Sequence, residues 1–180
     1  MKKFLFLPIA CFLLISSCAV KSQKSVQVLD NVYMTSCPLE GECKLEILND
    51  KSIKLLKQED GSYVKKITTD FSKNVFVITY TNPGKEGVMD MAFEEKVYFE
   101  VAKSRKEWSL KESAMYRSQL IYERNCRCPE DQRGLDYVLE GKFDYRRMRS
   151  LLDVDIKIKN PSLPLTMRRI TLKGDVLQTF

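Results

Sequence analysis

Leu152-Asp153-Val154-Asp155-Ile156-Lys157-Ile158-Lys159 alternates apolar and charged residues without a break. Side chains two apart on a strand share a face, so this run builds a sheet with one buried side and one wet side. The same period recurs in Val97, Phe99, Val101 against Lys96, Tyr98, Glu100, and in Cys43, Leu45, Ile47 against Lys44, Glu46. Leu120, Tyr122, Arg124, Cys126 and Cys128 share a face in the same way. Val75 to Tyr80 is continuously β-branched or aromatic and reads as a central strand.

Turn chemistry separates these runs. Glu59-Asp60-Gly61 lies between Ile53–Lys57 and Ser62–Ile67 as a hairpin signal. Asn82-Pro83-Gly84, Pro129-Glu130-Asp131 and Asn160-Pro161-Ser162-Leu163-Pro164 mark further turns. Val26–Thr35, Leu135–Tyr145 and Arg168–Lys173 complete the strand set. About 8–9 short strands at regular spacing predict an all-β fold, an antiparallel sandwich of immunoglobulin-like type, with a small barrel as the alternative. Arg105 to Arg117 reads equally as helix or strand. The single tryptophan, Trp108, reads as core more readily than as a ligand platform.

The chain has 180 residues, 44% of them hydrophobic, enough for one domain with a real core. It contains no histidine, which excludes Ser-His-Asp and Cys-His catalysis and every imidazole metal site. The sequence contains no phosphate-binding glycine loop, nucleophile elbow or EF-hand loop. Glu94-Glu95 and Asp153/Asp155 are neighbouring carboxylates, but no facing partner is legible, and a solvent face is the commoner setting. The expectation is a protein that is not an enzyme and needs no cofactor or metal.

The N-terminus has a different composition. Met1-Lys2-Lys3 is followed by an apolar run, Phe4 to Ile15, interrupted only by Pro8, and then by Ser16-Ser17-Cys18. The run is shorter than the roughly 17–25 residues of a spanning helix and fits the apolar region of a signal peptide. Leu14-Ile15-Ser16-Ser17-Cys18 resembles the lipobox of bacterial lipoproteins. That resemblance implies cleavage before Cys18 and acylation of its thiol and its new amine, and two or more acyl chains give stable attachment. It divides the chain into a signal peptide (1–17), a lipidated tether (18–25) and a β-sandwich domain (26–180). The residue after the cysteine is Ala19 and not the aspartate associated with inner-membrane retention in lipoproteins, so the same resemblance implies the outer membrane of a Gram-negative cell. The basic tether Ala19–Ser25, which lacks acids, favours the periplasmic face.

The six cysteines therefore fall into groups. Cys11 lies in the signal and Cys18 is the lipid acceptor, leaving Cys37, Cys43, Cys126 and Cys128 as disulfide candidates. Bridging Cys37 to Cys43 closes a seven-residue loop, about 2.4 kcal/mol in chain entropy, while a bridge between the two couples would contribute about 4.6 kcal/mol. Cys126-Arg127-Cys128 has its sulfurs on one strand face, and an alternative reading makes it a periplasmic thiol site for Cu(I) or redox exchange. The order Cys37-Pro38, Gly41, Cys43 and later Cys126, Cys128 resembles small uncharacterised β-rich lipoproteins, a likeness that implies an exported β domain and no activity.

Charge completes the reading. The chain carries 30 basic and 24 acidic side chains. Arg146-Arg147-Met148-Arg149 is the densest basic run, and Arg146, Arg147 and Arg149 are candidate contacts to an anionic surface. The expected partners are the bilayer, through acylated Cys18, and an envelope protein; no nucleic-acid motif is present.

Overall fold

The computed structural model describes residues 26–29, 33–34, 37–85, 92–147, 151–157 and 163–173. The chain forms β1 (Val26–Leu29), β2 (Tyr33–Met34), β3 (Glu42–Lys57), β4 (Tyr63–Asn82), β5 (Phe93–Ala102) and β6 (Glu107–Lys111). A 3-10 helix (Glu112–Ser118) leads to β7 (Ile121–Cys126), a short 3-10 turn (Glu130–Gln132), β8 (Gly134–Tyr137), β9 (Glu140–Arg146), β10 (Leu151–Lys157) and β11 (Arg169–Lys173). These strands make two antiparallel sheets, one ordered β1-β3-β4-β5-β7-β8 and the other β2-β11-β10-β9-β6. The protein is the all-β sandwich that the period-two runs predict.

The alternation decides what lies between the sheets. Leu45, Ile47, Phe76, Ile78, Val97, Phe99, Val101 and Tyr122 point inward from the first sheet, and Phe143, Tyr145, Leu152, Val154, Ile156, Ile170 and Leu172 from the second. Aromatic rings line and bridge the gap: Phe76 stacks on its cross-strand neighbour Phe99 at 5.0 Å, Trp108 meets Phe143 within the second sheet at 5.2 Å, and Phe99 meets Phe143 edge-on across the gap at 5.4 Å. Such pairs add to the area they bury. Trp108 is thus packed against the core and only partly covered.

Three segments differ from the sequence reading. Val26–Thr35 and Leu135–Tyr145 each read as one strand, yet each supplies a strand to both sheets: β1 and β2 in the first case, β8 and β9 in the second. Period two cannot register a change of sheet, because each half keeps its own alternation. The crossing before β9 is followed by Gly141, at φ +124, where a Cβ would lie 2.0 Å from the Asp155 carbonyl oxygen. Arg105–Arg117 is both things it resembled, a strand and then a 3-10 helix.

The third difference adds a layer. The expected short strands around Glu59-Asp60-Gly61 merge into two long ones of 16 and 20 residues. Asn49 pairs with Asn74, but Lys51 pairs with Thr69, so Asp50 alone opposes Asp70–Lys73. Asp50 takes the left-handed φ of 58°, which aspartate tolerates better than most residues. The hairpin bends there, and its distal half folds over the outer face of the first sheet. Ile53 and Leu55 of that flap bury against Val75, Val77, Tyr98 and Ile121, a second and smaller core.

Candidate functional site

Chemistry-bearing residues collect at the two ends of the sandwich. At one end, cross-strand pairing places Cys43 beside Tyr80, Tyr80 beside Glu95, and Glu95 beside Arg124, all on one inward-facing row. Glu95 is 0% exposed. Its carboxylate accepts hydrogen bonds from Arg124 and from the backbone N–H groups of Thr166 (2.9 and 3.1 Å) and Met167 (2.8 Å). The Arg124 guanidinium also lies 3.9 Å above the Phe93 ring. Nearby, the Tyr122 hydroxyl donates to the Pro164 carbonyl at 2.8 Å. Burial and the neighbouring Glu95 charge push the Tyr122 phenol far above its ordinary range, so it stays protonated and keeps donating. These groups clasp the Leu163–Arg168 segment across the sandwich end. The charge is spent on holding backbone, which is a structural use of a buried carboxylate.

The four cysteines lie at this same end. The sulfurs of Cys37 and Cys43, and of Cys126 and Cys128, are at bonding distance, with Cα separations of 5.8 and 5.2 Å. Both bridges are local; neither joins the hairpin around Gly41 to β7. The two couples sit on strands three apart in sheet order, roughly 14 Å at normal strand spacing. A shared four-thiolate centre is therefore not assembled, and no group of three or more metal-ligating side chains occurs among the described residues.

At the opposite end, Arg146 is engaged by Asp144 through both nitrogen–oxygen contacts, at 3.0 and 3.2 Å. Arg147 donates from its guanidinium to the Lys103 carbonyl (3.1 Å) and from its backbone N–H to the Lys106 carbonyl (2.9 Å). Arg149 and Cys18 lie outside the described residues. The basic run is therefore partly a brace for the β5–β6 loop. Its neighbours, which the sequence reading passed over, are Lys73, Arg105 and Arg117, lining a groove of about 260 Å³ with Glu100 and Trp108. Arg105 lies over the Trp108 ring at 4.8 Å. Their positions 73, 105 and 117 are too scattered to form a run, so no local pattern announces them.

Two polar constellations on the outer faces were also illegible. Lys65 reaches from the flap to the Tyr98 hydroxyl and to Glu123, each at 2.6 Å, and Tyr98 donates to Glu123. Asp144 faces Asp153 directly across β9 and β10. Asp153 has its own partners, with Lys142 at 2.9 Å, Thr171 at 2.9 Å and Arg169 at 3.5 Å. Comparison with known proteins gives no family model, no curated protein and no solved structure that matches the chain.

Proposed function

We propose that the protein is a non-catalytic, lipid-anchored lipoprotein of the bacterial cell envelope that works by binding or by bracing its surroundings. Leu14-Ile15-Ser16-Ser17-Cys18 carries this reading, because acylation of Cys18 would hold the domain at a bilayer. The outer membrane, facing the periplasm, is the location that the tether sequence favours. Two local cysteine bridges on a β-sandwich suit an oxidising compartment. The use of Glu95 and Arg124 as a clasp supports a structural role for this buried charge pair. Mass spectrometry of the mature chain tests the anchor: the N-terminal peptide should begin at acylated Cys18, and Cys18→Ala should leave the membrane fraction. An unmodified, soluble wild-type protein would overturn it.

A second reading is favoured by the Cys126–Cys128 bridge, which closes only three residues beside the exposed Arg127. Such a pair would exchange disulfides with substrate thiols. Free-thiol counting without reductant separates the two readings: no free thiols and no exchange with a dithiol probe would exclude the second.

A further inference from the structure

We propose that the sandwich end carrying the bend of the long hairpin rests on an anionic phospholipid surface, with Phe71 entering the headgroup region. The inference deepens the lipid-anchor reading and rests on it.

The pairing of β1 fixes which end the tether reaches. Val26 pairs with Leu48, and Leu29 with Leu45, so the chain joins the sheet beside the bend and runs away from it. Residues 18 to 25 span at most about 29 Å when fully extended. The far end, marked by Asn82 and Cys126, lies about 26 Å up β4 from Asn74 at the normal rise of a strand. Because the tether starts at the bend, the bend end lies nearest the bilayer, and the far end comes within reach only when the tether is almost fully extended. Presenting the far end would require it to run back along the whole sandwich.

The bend end has the chemistry for that surface. Phe71 is 78% exposed. It stands on a braced crest: Asp70 accepts from the Ser72 N–H (3.0 Å) and hydroxyl (2.6 Å), and the Ser72 carbonyl accepts from the Lys103 N–H (2.8 Å). Lys103 is bonded to that crest, and Arg105, Lys106 and Arg147 lie on loops tied to it: the Arg105 N–H donates to the Ala102 carbonyl, and Arg147 donates to the Lys103 and Lys106 carbonyls. The acids at this end are largely matched. Asp50 pairs with Lys103, Glu100 and Asp70 share Lys73 at 2.7 and 3.8 Å, and Asp144 pairs with Arg146, which Glu107 also faces. The small surplus is positive, from Arg105, Lys106 and Arg147, and it borders the most exposed aromatic ring of this end among the described residues. Protein docking sites usually present a broad apolar patch, whereas a lone aromatic among cations suits the headgroup layer of an acidic leaflet.

The test uses the acylated mature protein, beginning at Cys18, reconstituted in vesicles of phosphatidylcholine alone or with one-quarter phosphatidylglycerol. Wild type, whose single tryptophan is Trp108, sets the baseline for Phe71→Trp. The added emission should be quenched by brominated lipid about twofold more in the anionic vesicles, and the difference should shrink at high salt. Arg105→Glu with Lys106→Glu should abolish the difference. An acylated protein whose added emission stays solvent-like and unquenched in both vesicles overturns the docking alone, and so does quenching indifferent to lipid charge. A chain found without acyl groups on Cys18 overturns the anchor and the docking together.

Discussion

Glu95 and Arg124 face each other across β5 and β7 and form an ion pair sealed inside the sandwich end, with side-chain exposures of 0% and 11%. The pair is competent because the remaining carboxylate lone pairs are met by the Thr166 and Met167 N–H groups. Removing one partner strands the other charge away from water. Glu95→Gln should destabilise the fold by about 3–5 kcal/mol. Replacing both residues with leucine leaves no charge unpaired but removes the acceptor of the Thr166 and Met167 N–H groups, so it should recover only a small part of that loss. Urea denaturation of wild type and the two variants checks this; a Glu95→Gln protein as stable as wild type would mean the pair is not desolvated.

The two cysteine bridges should differ in value. The chain-entropy estimate is about 2.4 kcal/mol for the seven-residue loop closed by Cys37–Cys43 and about 1.6 kcal/mol for the three-residue loop closed by Cys126–Cys128. Paired serine substitutions should reproduce that order in chemical denaturation. Both losses should be smaller than a bridge between the couples would have given, because neither links distant parts of the chain.

The sheet faces were legible because a two-residue period survives any topology. Leu152, Val154 and Ile156 are buried and Asp155 is exposed, as their alternation requires. What periodicity lacks is long-range information. Glu94-Glu95 looked like a surface pair, yet Glu95 is the most deeply buried acid among the described residues, because Arg124 and the Leu163–Arg168 segment converge on it from positions 29 to 72 residues away. The third layer was hidden for a related reason. Ile53 and Leu55 alternate like any strand residues, and only the bend at Asp50 turns them onto Tyr98 and Ile121.

The flap is latched by side chains that satisfy its free edge. Glu100 accepts from the Ile53 N–H (3.0 Å) and the Ser52 hydroxyl (2.7 Å), while the Tyr137 hydroxyl lies 3.2 Å from the Leu55 N–H as its acceptor. Unpaired edge groups are otherwise a template for aggregation. Tyr137→Phe leaves the Leu55 N–H without its partner and should cost about 1–3 kcal/mol. Amide exchange at Ile53 and Leu55 should accelerate in Glu100→Gln and Tyr137→Phe, while amides of Phe76 and Phe99 in the main core stay protected. Uniform acceleration across both cores would show that flap and sandwich open as one unit.

Asp153 gives the outer face of the second sheet its pH dependence. Burial opposes its ionisation, but hydrogen bonds from Lys142 and Thr171 and the charges of Lys142 and Arg169 outweigh it, holding the carboxyl below its ordinary value. In the unfolded chain an aspartate binds its proton near pH 4, about the ordinary value. Between that value and the lower folded one, the unfolded chain holds more protons than the folded chain. Stability from Asp153 is therefore complete above about pH 4 and is lost as the pH falls through the folded value. Asp144, directly opposite, is already bonded to Arg146 and adds no free charge to the pair. Asp153→Asn should thus be less stable than wild type at neutral pH, and its stability should fall less steeply in acid. Urea midpoints measured from neutral pH downward should converge for the two proteins below about pH 4; parallel curves would mean that the Lys142 and Arg169 contacts contribute nothing to folding.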